Sequence, residues 1–152
     1  FVDGKLDGIA RTWYENGRLH LERAFVQGKK HGLSREWYEN GQLHIEESYV
    51  NGKLDGLCRM WHENGQLFGE GYIVDGKPEG VVRSWHENGQ LQSETTTIDG
   101  KQIGPTRLWF ENGQLKREIT IDSDAQSSVV REWDEQGQLV SERTYVNGKL
   151  VQ

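Results

Sequence analysis

The sequence predicts an all-β fold: an elongated single-layer antiparallel sheet in which about six β-hairpins of 24 residues follow one another as a meander. Three observations predict it. Tryptophan recurs at Trp13, Trp37, Trp61, Trp85, Trp109 and Trp133, a spacing of 24 that never drifts. Glycine-bearing turn phrases interrupt the chain at intervals of roughly ten residues. Between them no apolar stripe of helical period persists.

The composition fits such a design better than a compact domain. Only 34% of the 152 residues are hydrophobic and 28% are charged, with a mean hydropathy of −0.82. A compact domain of this length buries about 70% of its unfolded surface, and there is little apolar material here to do it. Disorder is the usual outcome of such polarity, but six Trp, five Tyr and four Phe beside only 2 Pro argue against it. No apolar run approaches the length of a transmembrane helix, and the lone Cys58 excludes a disulfide framework. The net charge of −6, without a local cluster of Lys or Arg, sets nucleic acid aside and disfavours anionic membrane surfaces.

Each unit justifies its elements in the same order. A first strand runs to the Trp, carrying Arg two residues before it (Arg11, Arg35, Arg59, Arg83, Arg107, Arg131). An Asn-Gly phrase then reverses the chain, as in Trp13-Tyr14-Glu15-Asn16-Gly17. A second strand carries Glu nine residues after the Trp (Glu22, Glu46, Glu70, Glu94, Glu118, Glu142). A second phrase, such as Asn51-Gly52-Lys53-Leu54-Asp55-Gly56, supplies the other reversal. These phrases account for every Gly except Gly69 and Gly71. The units run approximately 1–24, 25–48, 49–72, 73–96, 97–120 and 121–144, with a partial unit at 145–152, and 1–152 reads as one array of about twelve strands.

Two registers fit the hairpin. If Asn16-Gly17 alone forms a type I′ turn, Arg11 lies opposite Glu22. If Glu15-Asn16-Gly17 is a three-residue loop with a bulge, Trp13 faces Leu19, and the odd positions Ile9, Trp13, Leu19, Leu21 and Phe25 collect on one side. We prefer the second, which gathers the apolar columns but leaves the valine column (Val2, Val26, Val50, Val74, Val146) on the other face. An even period turns each column into a ladder across the sheet, with equivalent residues roughly 9.6 Å apart and the whole sheet roughly 55 to 60 Å across.

Together, these phrases resemble the MORN-type repeat, and more closely its bacterial variant, in which a WYENGQL phrase alternates with an NGK-x-x-G phrase. The resemblance covers essentially the whole chain. It implies consecutive hairpins in an elongated, twisted sheet that serves as a scaffold, dimerisation or localisation module, with lipid binding for some members. Many bacterial variants carry an antitoxin label, which implies a partner toxin. The chain departs from the common pattern in its 24-residue unit and in the Gly-less turn of the sixth unit, Ile121 to Ser128.

Function is expected in the ladders. Trp37, Trp61, Trp85 and Trp109 form an aromatic strip that suits an extended peptide, a sugar chain or a quaternary ammonium group. Arg35, Arg59, Arg83 and Arg107 carry guanidinium forks suited to carboxylate or phosphate, although each has a Glu in its own unit. We read these as partner-binding candidates of a non-catalytic protein-binding scaffold. Glycan, cell-wall or choline-type binding is the alternative, and phospholipid association the second. His62 and His86 read as solvent-facing substitutes for Tyr14 and Tyr38, with His44 able to come opposite His62; no metal site, cofactor or catalytic group is expected, and Cys58 reads as a small filler. Gly69-Glu70-Gly71, Pro105 at a strand position and the Gly-less turn mark where repeats differ. The stretch begins within a strand and stops where another hairpin begins, so an excised part of a longer protein and end-to-end association through open sheet edges are expected. Absence of a signal peptide or transmembrane segment in this stretch makes the cytoplasm the expected location.

Overall fold

A computed structural model describes residues 4–122 and 124–152; Phe1 and Val2 at the start of the array and Ser123 in the Gly-less turn lie outside the described residues. In chain order the strands are β1 (Gly8–Trp13), β2 (Leu19–Val26), β3 (Lys29–Trp37), β4 (Leu43–Val50), β5 (Lys53–Trp61), β6 (Leu67–Val74), β7 (Lys77–Trp85), β8 (Leu91–Ile98), β9 (Lys101–Gln102), β10 (Thr106–Trp109), β11 (Leu115–Asp122), β12 (Ser127–Trp133), β13 (Leu139–Val146) and β14 (Lys149–Leu150). They form one 14-stranded sheet whose neighbours follow chain order, with β9 and β10 both paired to β8. The count exceeds twelve because β14 is added and because one strand is split. Pro105, expected at a strand position, instead falls between β9 and β10, since it has no N–H to donate to the ladder.

The hairpin turn explains how two registers coexist. Tyr14 N–H donates to the Arg18 carbonyl at 2.8 Å and Gly17 N–H to the Tyr14 carbonyl at 3.0 Å, which closes the three-residue loop Glu15-Asn16-Gly17. Gly17 takes the left-handed conformation, φ 82°. Trp13 therefore faces Leu19, but a bulge between Thr12 and Trp13 shifts the ladder so that Arg11 still faces Glu22. Every later hairpin with this loop repeats the shift, for example between Met60 and Trp61.

The bulge overturns the expected single apolar side. Facing residues share a side of the sheet, and side chains alternate along each strand. Ile9, Arg11 and Trp13 thus lie with Glu22 and Ala24 on one face, the Trp face, whereas Leu21 goes with Thr12, and Phe25 with Gly8, to the opposite face. Val26, two residues beyond Ala24, belongs to the Trp face and not to the other side as expected. The extra residue in the bulge reverses the phase of everything beyond it, so the apolar columns are divided between two faces.

The other reversal is a two-residue turn in which both residues have positive φ, such as Asn51 at 52° and Gly52 at 88°, the type I′ geometry that suits the twist of paired strands. Gly52 N–H then donates to the Lys30 carbonyl of the preceding unit at 2.8 Å, and Gly76 N–H to the Leu54 carbonyl at 3.0 Å, so the turns stack along one edge. In the Gly-less turn Asp122 Oδ1 accepts from the N–H groups of Asp124 and Ala125 at 3.1 and 3.0 Å, and Gln126 takes φ 47°.

A sheet of one layer has little interior. Among the described residues, Val130 at 8% exposure is the only buried hydrophobic side chain, joined by Ser34 at 6% and Thr97 at 8%. All three lie opposite the Trp face. Ser34 and Val130 belong to the column of small residues that also holds Ala10, Cys58, Val82 and Thr106.

The glycines closing the second phrase separate backbone strain from crowding. Gly56 has φ 116° and a Cβ there would stand 2.8 Å from Ser48 Cβ, while Gly80 at φ 80° has nothing within 4 Å. Gly80→Ala is expected to cost about 1 kcal/mol from the left-handed conformation alone, and Gly56→Ala clearly more. Urea unfolding midpoints of the two variants measure this difference, and equal losses would contradict it.

Candidate functional site

On the Trp face the arginines and glutamates merge into a single alternating row. Within units, Arg Nε meets Glu Oε2 at 2.6 Å (Arg11–Glu22), 2.6 Å (Arg35–Glu46), 3.4 Å (Arg59–Glu70), 2.8 Å (Arg83–Glu94), 2.8 Å (Arg107–Glu118) and 2.5 Å (Arg131–Glu142). Between units, Glu22 faces Arg35, Glu46 faces Arg59, Glu70 faces Arg83, Glu94 faces Arg107 and Glu118 faces Arg131. This second set of pairings was not foreseen, because it depends on how one hairpin docks on the next. The row is neutral along its length, and its arginines are engaged by carboxylates before any ligand arrives. With side chains such as Arg59 and Arg83 at 41% and 40% exposure, each pair contributes only about 0 to 1 kcal/mol.

Trp13, on the edge strand, is 59% exposed, whereas Trp37, Trp61, Trp85, Trp109 and Trp133 are half-buried. Its own hairpin therefore covers a Trp only in part; the strand of the preceding unit supplies the rest. The main chain at these positions is tied forward as well. Tyr14 Oη donates to the Trp37 carbonyl at 2.6 Å and Tyr38 Oη to the Trp61 carbonyl at 2.8 Å. His62 Nε2 lies 3.0 Å from the Trp85 carbonyl and His86 Nε2 2.9 Å from that of Trp109. A carbonyl only accepts, so each Nε2 carries the proton.

These histidines are half-buried ties and not the solvent-facing substitutes expected from sequence. His62 sits edge-on to Phe68 with centroids 5.1 Å apart, while His44 stacks on Tyr38 at 4.1 Å with Nδ1 3.7 Å from Glu36. The Tyr38 ring that His44 covers reaches the carbonyl of Trp61, the residue before His62. A parallel row at the same edge joins Asn40 Nδ2 to the Glu63 carbonyl at 3.0 Å and Asn64 Nδ2 to that of Glu87 at 2.9 Å. Sequence reading missed both tie systems, although the fixed period of their columns was the available signal.

Six segments, residues 6–26, 30–51, 54–75, 78–99, 102–122 and 128–147, match the MORN repeat variant. The chain belongs to this family. MORN repeats are generally associated with protein or membrane binding. No curated protein matches the chain.

In this MORN repeat variant array, the face opposite the Trp row carries the more varied chemistry. Tyr49 Oη donates to Glu47 Oε2 at 2.8 Å, and Lys30 Nζ lies 3.2 Å from the same hydroxyl and 4.3 Å from the ring centroid. Cys58 stands in the small column, half-buried, and burial followed by the charge of Glu47 pushes its thiol pKa up, which keeps it a poor nucleophile at neutral pH. Gly69-Glu70-Gly71, expected to bulge or bend its strand, is irregular on one side: Gly71 has no ladder partner on β7, whereas the equivalent Arg23 and Glu47 are paired. Gly69 and Gly71 pair regularly with Met60 and Cys58. The register shift lies between Glu70 and Tyr72 here, one residue earlier in the repeat than the shifts between Arg23 and Phe25 and between Glu47 and Tyr49. Particular to this unit are that displaced shift and the loss of two side chains. Among the described residues, no three His, Cys, Asp or Glu side chains group to hold a metal ion.

Burial, then the hydrogen bond to Glu47, pushes the Tyr49 hydroxyl pKa from 10.0 up to about 12. The folded state therefore keeps a proton that the unfolded chain releases. The resulting contribution to stability is complete below pH 10 and is lost as the pH rises from 10 to about 12. Unfolding midpoints across this range are expected to fall less steeply for Tyr49→Phe than for the parent chain; parallel curves would contradict the assignment.

Proposed function

We propose that this chain is a non-catalytic repeat scaffold that binds a protein partner through the exposed faces of its sheet, with Trp37, Trp61, Trp85 and Trp109 and the flanking Arg35, Arg59, Arg83 and Arg107 as the contact rows of the Trp face. The observation that carries this reading is the single layer itself. No second sheet or helix among the described residues covers either face, and large apolar side chains stand exposed along the Trp face, including Tyr72 at 51%, Leu33 at 42% and Val81 at 39%. Exposed apolar side chains rimmed by polar ones are typical of surfaces that dock other proteins. Capture of a small protein in an antitoxin-like manner falls within this reading.

The ladders argue against the two competing ligand classes. Arginines already paired with carboxylates have less to offer phosphate, which speaks against phospholipid headgroups. Half-buried indoles offer sugars or choline less open ring than a stacking platform needs.

A photo-crosslinking residue in place of Val81, on the strand that ends in Trp85, tests the reading. Crosslinking is expected to give discrete protein adducts that disappear when Trp61→Ala and Trp85→Ala are added. Adducts indifferent to these substitutions, or tryptophan emission that responds to cell-wall glycan or choline with no protein adduct formed, would overturn it.

A further inference from the structure

Gly69 and Gly71 occupy positions of β6 where β2 has Leu21 and Arg23 and β4 has Ile45 and Glu47. Neither has the positive φ that demands glycine, and glycine within a strand weakens it. Crowding by Val82, whose Cγ2 would stand 3.3 Å from an added Cβ, bears on Gly71 but does not explain Gly69, where an added Cβ would meet only ordinary contacts, 3.5 Å from the Arg83 carbonyl oxygen and 3.7 Å from Met60 Cε. The missing side chains instead open a cleft of about 250 Å³ on the face opposite the Trp row, walled by Cys58, Met60, Phe68, Ile73, Pro78 and Val82. An apolar cavity of about 150 Å³ is enough for a benzene ring.

The cleft lies on a transverse row in which charged residues flank a long uncharged stretch. Successive partners across the sheet read Glu36, Ile45, Met60, Gly69, Ser84, Ser93, Leu108 and Arg117. From Ile45 to Leu108 the row is uncharged, in a chain that is 28% charged. Arg117 already faces Glu132, at 3.7 Å. Among the described residues Glu36, 34% exposed, is in ion-pair range only of His44 at 3.7 Å and His20 at 4.0 Å, which leaves its carboxylate open to a cation. Three strand spacings separate Glu36 from Gly69, roughly 14 Å, which an extended peptide covers in about four residues.

We propose that this row binds an extended segment of a partner protein, seating one large apolar side chain in the Gly69–Gly71 cleft and a lysine or arginine, four residues away, on Glu36. The part of the segment over Met60 and Gly69 is uncharged, because the row itself offers no counter-ion there, whereas Lys116 flanks the row at Ser93 and Leu108. This deepens the protein-binding reading above and rests on it, but it places the specific contact on the other face of the sheet.

The probe is a library of random twelve-residue peptides displayed on phage and selected on the full chain. Enriched peptides are expected to share an aromatic or large aliphatic residue with Lys or Arg four positions away, and to slow alkylation of Cys58 in the cleft wall. Gly69→Leu, a side chain the fold already accommodates at the equivalent Leu21, should lower their affinity at least tenfold with the circular dichroism spectrum unchanged. Gly69→Ala, where only ordinary contacts await, serves as the milder filling and should give a smaller loss. Glu36→Gln should lower affinity severalfold and remove most of its salt dependence. Peptides that lack this pattern, or that bind Gly69→Leu as well as the parent, overturn the proposal. If such peptides are instead lost on Trp61→Ala, the scaffold reading stands without the cleft. A selection that enriches no peptide also overturns the cleft and leaves the scaffold reading to the crosslinking experiment.

Discussion

With no second layer to pack against, each hairpin of this sheet is covered only by the hairpins on either side of it, and everything else in the structure follows from that dependence. The half-burial of Trp37 through Trp133, against an edge Trp13 that is 59% exposed, reflects it directly. So do the ties that leave one unit and end on the main chain of a neighbouring one, forward from Tyr38 to the Trp61 carbonyl and from Asn64 to the Glu87 carbonyl, and back from Gly76 to the Leu54 carbonyl. Stability in such an array is close to a sum of units and nearest-neighbour interfaces. The 24-residue period matters because an even, constant repeat returns each residue type to the same face, so that Arg always meets Glu and a tying side chain always meets a carbonyl.

Much of this was legible in the sequence, and the failures share one cause. The Trp spacing and the turn phrases predict a strand meander, and the three-residue loop is preferred because it gathers the apolar columns, a ground that the bulge removes although the loop itself forms. Two registers seemed mutually exclusive because each was carried along the whole hairpin. The bulge between Thr12 and Trp13 lets the loop obey one and the Arg–Glu pair obey the other. Its cost is the phase of the apolar columns, which is why Leu21 and Phe25 part from Trp13 and why Val26 joins it. A bulge adds no residue type of its own and leaves little trace in a column pattern. The interface between hairpins was equally hidden, since the partners of Tyr14 and His62 are carbonyls, which every residue has.

The site follows the same division. Columns kept in every repeat build the sheet: the Arg–Glu row neutralises itself, and the indoles are partly absorbed by the preceding strand. Chemistry specific to one place arises where a column is interrupted. Gly69 and Gly71 stood out in the sequence as departures from the repeat, but the reading available there was a bent strand. Only the pairing of Met60 with Gly69 and of Cys58 with Gly71 reveals a strand regular toward β5 with side chains withheld, its ladder skipping Gly71 toward β7, and only the transverse row reveals Glu36 at the edge of the uncharged stretch. A face built of units is thus uniform in architecture and local in specificity.

Amide hydrogen exchange on the full chain carrying Trp61→Ala tests the dependence of each hairpin on its neighbours most directly. The account predicts that protection falls in the strands adjoining Trp61, β4 through β7, while β1, β12 and β13 exchange as in the parent chain. Loss of protection spread evenly over all units would show a single cooperative core and contradict it.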